Sequence, residues 1–406
     1  MSDVVIIGAS HAGAEAAVAL RKLGHEGRVT LVGEEAHPPY HRPPLSKDYL
    51  SGAKTLDAIL LRPEASYAEA DIDLRLGVRA ERIDREGKRV ELSDGSALPY
   101  GKLIVATGAR VRRLSIPGAE LPGVFYLRDA RDVEAIRDRV AEGGRAVIVG
   151  GGYIGLETAA SLRKRGMEVT LLEAMDRILA RVTAPVMSDF YRRIHTEEGV
   201  VIHEGCMASE IEQGDGELIV TTKCGKRVPA DMVVIGIGVI PNMELAEEAG
   251  LSVGNGIEVD AHCRTSDPDI YAVGDVSWHE NPLYARHLRL ESVPNATEQA
   301  KVAAQSIVGA PKPYAALPWF WSDQFDLKLQ IAGLSEGHDD IVVRGNVEGR
   351  SVAAYYFAGG RLLAVDAVNA PRDFMTGKMA LSKGMTLDKA GLREADADLK
   401  GLMRPL

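Results

Sequence analysis

One unit written twice dominates this sequence. Residues 4–33, VVIIGASHAGAEAAVALRKLGHEGRVTLVG, and residues 147–173, VIVGGGYIGLETAASLRKRGMEVTLLE, share one plan: apolar strand, glycine-rich turn, alanine-rich helix, short turn, apolar strand. Strands that are apolar at every position are buried on both faces, and a crossover helix between two of them makes the βαβ unit of a doubly wound parallel sheet. The copies lie about 140 residues apart, too far for a solenoid repeat of ~20–50 residues, and so predict two dinucleotide sites in one chain. A chain of 406 residues has room for two or three cores.

The second copy carries GxGxxG at Gly150, Gly152 and Gly155, directly after a strand and opening a helix. The first glycine makes the tight turn, the second lets the backbone approach a pyrophosphate, and the third lets helix and strand pack closely. The helix amino terminus then offers free amides and the positive end of its dipole. Glu173 follows Gly150 by 23 residues, at the end of the next strand, where a carboxylate accepts ribose hydroxyls and repels a 2′-phosphate; this favours NADH over NADPH. Arg177 and Arg181 lie close enough in sequence to soften that preference.

The first copy reads Gly8, Ser10, Gly13, with the middle glycine replaced. Its acidic partner is Glu34, 26 residues after Gly8, with Glu35 as a competitor. Two later segments support it. LIVATG puts a small-residue turn, Ala106 to Gly108, at the end of a buried strand, and DIYAVGD puts Asp275 at the end of another, where a carboxylate can bind a polyol hydroxyl. From about Trp319 the texture turns β-rich and from about Pro371 helical, a third, α+β domain. The run Trp319-Phe320-Trp321 reads as core, Trp321 above all.

The formal net charge is −10, with 26% charged residues and a mean hydropathy of −0.07. That balance excludes disorder and argues against general nucleic-acid binding. No apolar stretch approaches the ~18 residues of a membrane helix, and the amino terminus lacks a basic, signal-like segment, so a cytoplasmic protein off the membrane is expected. The charge is uneven: residues 301–406 hold 13 Lys+Arg and 12 Asp+Glu, net +1, against 35 and 46, net −11, before them. The only cysteines are Cys206, Cys224 and Cys263. No CxxC occurs, and their spacings fit neither a redox dithiol nor a zinc site, so no metal is expected.

Taken together, the two glycine motifs, the ATG turn and the late AVGD resemble the two-dinucleotide-binding flavoprotein reductases of the glutathione-reductase-like fold. GGGYIGLE (150–157), PPLSKDYL (43–50), RVTAP (181–185), ESVPNATEQA (291–300) and PWFWSDQ (318–324) are similar to the NADH-dependent ferredoxin and rubredoxin reductases in particular, over essentially the whole chain. The resemblance implies an α/β fold of two Rossmann-like domains plus the C-terminal α+β domain. These are a discontinuous FAD-binding domain at 1–114 and 243–320, a NAD-binding domain at 115–242 and the C-terminal domain at 321–406. It places the FAD pyrophosphate at Gly8, Ala12 and Gly13, the adenosine ribose at Glu34, the ribityl chain at Asp275 and the flavin's pyrimidine side at Val293. Further FAD contacts would come from Arg42, Lys47, Ala80, Ala106, Thr107, Gly108, Arg128 and Trp319. NAD would meet Gly150, Gly152, Tyr153, Ile154, Gly155, Glu157, Glu173, Arg181, Gly238 and Glu291. Lys47 pairs with Glu157 beside the flavin N5 in such proteins, and these two are the expected catalytic residues.

Disulfide reductases of this fold carry a redox cysteine early in the first domain. Here the first is Cys206, so a thiol relay is excluded. The resemblance implies electron transfer from NADH through FAD to a two-iron, two-sulfur ferredoxin that supplies a monooxygenase or a ring-hydroxylating dioxygenase. Small ferredoxins are acidic, so a basic docking face is needed, with Lys301, Lys328 and Lys378 as candidates. An NADH oxidase or quinone reductase, and a signalling flavoprotein like apoptosis-inducing factor, stay open, as does the choice between monomer and weak dimer.

Overall fold

The computed structural model describes residues 2–394 and 396–406 as two compact units, Met1–His41, Leu56–Arg110 and Val239–Pro318 in the first, Arg42–Thr55, Val111–Gly238 and Trp319–Leu406 in the second. No described helix is long and apolar enough to cross a membrane.

The first unit is built on a five-stranded parallel sheet in the order Ile270–Ala272, Lys102–Val105, Val4–Ile7, Val29–Val32, Ile72–Arg75. Val4 to Ile7 are all buried, as their unbroken apolar run requires. Helix His11–Lys22 crosses over to Val29–Val32 and packs against helix Val293–Ile307. Ala12, Ala16 and Ala19 on one and Ala296, Ala300, Ala303 and Ala304 on the other belong to the same buried cluster. Small side chains let two helices approach closely.

The second unit repeats this plan with the order Val200–His203, Glu168–Leu172, Arg145–Val149, Met232–Ile235, Val124–Tyr126. It adds a three-stranded antiparallel sheet at Ala208–Gln213, Leu218–Thr222 and Arg227–Ala230, and the C-terminal five-stranded antiparallel sheet in the order Trp319–Gln324, Leu327–Gly333, Arg361–Val368, Ser351–Ala358, Asp340–Asn346. In both parallel sheets the chain order reverses beside the strand that precedes the glycine turn, Val4–Ile7 in one and Arg145–Val149 in the other, and the crevice at such a reversal is where these sheets bind ligands.

One expectation needs correction. Trp321 is only half-buried, as are Trp319 and Phe320, because they lie on an edge strand with a neighbour on one side only. The three cysteines are free thiols, and the fold lays two that are distant in sequence side by side: Cys206 and Cys224 lie with their sulfurs 3.1 Å apart.

The RVTAP segment is tied to the C-terminal sheet. Thr183 Oγ1 and Tyr356 Oη each donate to Asp366 Oδ2, both at 2.6 Å. Burial pushes the Asp366 carboxyl up to about 6, although both hydroxyls favour its charge. A carboxyl raised in the folded state holds its proton longer than in the unfolded chain, so its stabilising effect is complete below the ordinary carboxylate range and is lost as pH rises through about 6. Asp366→Asn is therefore expected to gain on the wild type by roughly 2–3 kcal/mol between pH 4 and 7 in urea unfolding. A constant difference across that range would contradict it.

Candidate nucleotide sites

In the first unit the reversal falls between Val4–Ile7 and Lys102–Val105. Gly8 has φ +111°, and a Cβ there would stand 2.1 Å from the Ala106 carbonyl oxygen; one at Gly13 would stand 1.9 Å from that of Gly8. The turn, the helix and the ATG segment are thus fitted against one another through main-chain atoms, as a pyrophosphate cradle needs. Ser10 sits in extended conformation as the residue before the helix, with Ala12 and Gly13 in its buried first turn. Gly274, just before Asp275, faces Ala12: a Cβ on it would come within 3.1 Å of the alanine methyl.

Asn242, which the sequence did not single out, clamps the ATG turn. Its carbonyl accepts from Thr107 Oγ1 at 2.7 Å, its Nδ2 donates to the Thr107 carbonyl at 2.9 Å, and its main-chain N–H donates to the Gly108 carbonyl. Gly108 is left-handed at φ +63°. Arg289 is a second unforeseen residue. Its Nη1 lies 2.6 Å from Glu291 Oε1 and 3.3 Å from the Asp275 carbonyl, bringing two of the expected site residues together. Val293 opens helix Val293–Ile307 behind the cap Ser292, whose Oγ accepts from the Asn295 amide. Buried Gln299 on that helix accepts from the Gly274 amide and from Ser277 Oγ, both at 2.8 Å. Of the two adjacent glutamates, Glu35 is bonded by Tyr40 Oη, while Glu34 is largely solvent-exposed with Arg79 at 3.8 Å. Glu34 is the one left accessible to a ribose. Ala80 is buried at the start of strand Ala80–Asp84.

In the second unit Gly150 has φ +114°, and its missing Cβ would stand 2.3 Å from the Gly236 carbonyl oxygen; that of Gly155 would be 2.0 Å from the Gly150 carbonyl. Gly152 differs. It caps helix Tyr153–Lys164 at an ordinary φ of −78°, and a Cβ on it would meet no atom of the described residues within 4 Å. Neither backbone conformation nor packing asks for glycine there, so the space it leaves open fits a dinucleotide. Gly238 needs its φ of +103° and likewise opens on free space.

Glu173 is held by both oxygens, Oε2 accepting from the Gly151 amide at 2.6 Å and Oε1 from the Met175 amide at 2.7 Å. The carboxylate is fixed beside the glycine turn before any ligand arrives. Arg177 is occupied elsewhere, donating to Ser188 Oγ and the Ala180 carbonyl, whereas Arg181 is exposed. At the helix amino end Ile154 presents an exposed side chain. Tyr153 packs on Phe320 at 5.0 Å, and its buried hydroxyl finds no partner among the described residues.

Lys47 and Glu157 meet in the same unit. Lys47 Nζ is 2.6 Å from Glu157 Oε2, and both side chains are mostly buried. Ser46 Oγ donates to Oε2 and Ser322 Oγ to Oε1, each at 2.5 Å, so three donors satisfy one buried carboxylate. Behind them Gln324 Nε2 donates to Ser322 Oγ, and His195 Nε2 lies 2.8 Å from Gln324 Oε1. Burial lowers His195 to about 4, so it stays neutral. Arg42 donates to the Arg128 carbonyl at 2.9 Å, and Asp129 after it caps helix Ala130–Arg137. Trp319 carries Lys378 over its ring at 4.3 Å. Among the docking candidates Lys301 is paired with Glu298, and Lys328 is exposed.

The family model described as "Pyridine nucleotide-disulphide oxidoreductase" matches residues 2–300, and "Reductase C-terminal" matches 319–403. The ferredoxin reductase subunit of 5,5'-dehydrodivanillate O-demethylase from Sphingobium sp. is 45% identical, covering 98% of each chain. Putidaredoxin reductase from Pseudomonas putida is 43% identical over 99% of this chain and 96% of its own. Among solved structures, the covalent putidaredoxin reductase–putidaredoxin complex superposes with a TM-score of 0.96 at 43% identity, covering 99% and 98%. Each unit's glycine-turn crevice fits the family model that spans residues 2–300, and with relatives 43–45% identical over nearly the whole chain this protein belongs to the pyridine nucleotide-disulphide oxidoreductase family, among its ferredoxin reductases.

Proposed function

We propose that the chain takes electrons from NADH and delivers them, through FAD, to a two-iron, two-sulfur ferredoxin that serves an oxygenase. The carrying observation is the duplicated crevice, one copy ending in an open carboxylate, Glu34, the other in a clamped one, Glu173. Relatives named for O-demethylase and anthranilate 1,2-dioxygenase systems support the oxygenase end. FAD supplies the chemistry that joins a two-electron donor to a one-electron acceptor.

The chain's own groups bind and orient. Main-chain amides at the two helix starts take the pyrophosphates. Glu157 holds the Lys47 ammonium in place through one carboxylate oxygen and is itself held by Ser46 and Ser322. The first cysteine is Cys206, so no thiol stands in the first unit's glycine turn to intercept electrons. A cytoplasmic setting belongs to the same proposal.

Glu173→Ala is expected to cut the preference for NADH over NADPH about tenfold, read as the ratio of kcat/KM values. A wild type that already prefers NADPH contradicts the role given to Glu173. The whole reading is tested by stopped-flow reduction with NADH followed by mixing with a two-iron, two-sulfur ferredoxin. Fast reduction and fast transfer support it. Oxygen consumption that outruns ferredoxin reduction favours the oxidase, and slow reduction to a long-lived complex favours the signalling protein. Lys328→Glu is expected to raise the KM for ferredoxin several-fold while leaving ferricyanide reduction unchanged.

A further inference from the structure

The second unit holds a thiol pair that electron transfer does not use. Cys206 and Cys224 are 18 residues apart in sequence, and their Sγ atoms approach to 3.1 Å. A disulfide needs about 2.05 Å, so closure asks for only about 1 Å of further approach. The local fold explains the meeting. Cys224 sits in a turn closed by the Gly225 amide on the Thr222 carbonyl, with Gly225 left-handed at φ +81°, just past strand Leu218–Thr222. Cys206 lies just before the partner strand Ala208–Gln213, in which Ala208 faces Thr222.

The two thiols are not equivalent. Cys224 is exposed and Cys206 buried. Thr222 Oγ1 lies 3.1 Å from the Cys224 sulfur; this hydroxyl, then the Cys206 thiol and the Lys226 amide, bring Cys224 down to about 7. Burial pushes Cys206 up. An accessible thiolate beside a protonated thiol is the arrangement in which one sulfur reacts first and the other resolves it.

Cys206 is also joined to the nucleotide site. Its amide donates to the Glu173 carbonyl at 2.7 Å, the Gly205 amide donates to the Met175 carbonyl at 2.6 Å, and the Glu173 amide donates to the His203 carbonyl. Glu173 is the residue whose carboxylate bridges the Gly151 and Met175 amides.

We propose that Cys206 and Cys224 form a reversible disulfide on exposure to hydrogen peroxide, and that its closure draws Cys206 away from Glu173 and weakens NADH binding. The Cys224 thiolate attacks one peroxide oxygen; the S–O bond forms, the O–O bond breaks, and hydroxide leaves and takes a proton to become water. The Cys206 sulfur then attacks the sulfenic sulfur, the S–S bond forms, the S–O bond breaks, and a second water leaves with the Cys206 proton. Two thiols are oxidised and one peroxide is reduced to two waters. The thiol chemistry goes beyond the reductase reading; its effect on NADH rests on that reading.

The test treats the full-length holoprotein with hydrogen peroxide and maps its peptides by mass under alkylation. The expected result is a Cys206–Cys224 linked peptide, Cys263 still alkylated, reversal by dithiothreitol, and a several-fold rise in the KM for NADH that dithiothreitol also reverses. Cys224→Ser keeps the reduced-state KM and abolishes both link and response. Because Cys206→Ser alters a buried position, the exposed Cys224 variant is the deciding one. Oxidation that stops at sulfenic or sulfinic acid without a link overturns the disulfide, and a link with unchanged KM overturns its coupling to Glu173. Failure of the fully reduced protein to use NADH instead overturns the reductase reading, while the peptide map still decides the thiol chemistry.

Discussion

Glu157→Ala is expected to lower the free energy of unfolding by roughly 3 kcal/mol and to slow flavin reduction by NADH at least tenfold. Both effects have the same origin. The substitution removes the acceptor of Ser46 Oγ and Ser322 Oγ and the counter-ion of Lys47, leaving a mostly buried ammonium and two hydroxyls to be satisfied. Buried donors without partners cost about 1–3 kcal/mol each, and more for a charge. Glu157→Gln separates packing from charge: it keeps the side-chain volume and one oxygen acceptor, so chemical denaturation should show part of the stability restored, while single-turnover reduction stays slow because Lys47 has lost its anion. If the glutamine variant reduces flavin at the wild-type rate, the carboxylate is a structural tie only, and Lys47 is positioned by the Pro43 carbonyl and Ser46.

The second large effect is expected from a pair of glycines three residues apart in one motif. Gly155→Ala drives a methyl group to 2.0 Å from the Gly150 carbonyl oxygen, which neither helix nor strand can yield without parting. A loss of ~3 kcal/mol or more is expected, with lower Tm and poor recovery of folded protein. Gly152→Ala places the same methyl group in open space and costs only about 1 kcal/mol for a poorer helix cap. Its KM for NADH is nonetheless expected to rise at least tenfold, since the methyl group occupies the room that lets a pyrophosphate approach the backbone. Unchanged KM in a well-folded Gly152→Ala protein would place the NADH pyrophosphate elsewhere.

What could be read in the sequence divides along a physical line. Gly8, Gly13, Gly150 and Gly155 were legible because each answers a local demand, a turn or a helix–strand contact, that a strand-turn-helix string already states. The buried strand before the ATG turn and the β-rich texture after Trp319 were legible from apolar runs alone. The surroundings of Glu157 were not. Ser46 and Ser322 reach it across 111 and 165 residues, and no local pattern distinguishes either serine from a solvated one. Asn242 and Arg289 were missed for the same reason, their partners being carbonyls and a carboxylate gathered by the fold. The approach of Cys206 to Cys224 was not legible because linear spacing ignores the turn that lays one strand end beside the other. Trp321 was misjudged because an aromatic run does not say whether its strand lies inside a sheet or at its edge.

The main-chain construction of the two cradles bears on redesign. Gly8 and Gly13, like Gly150 and Gly155, have carbonyl oxygens standing where their side chains would be, so a library that randomises these turns yields mostly unfolded chains. Coenzyme choice is encoded elsewhere, in side chains such as Glu173 at strand ends, where substitution leaves the cradle intact. An engineer seeking a new electron donor should keep the glycines constant and diversify the strand-end residues, with the Gly151 and Met175 amides that Glu173 now occupies offered new partners in the same round.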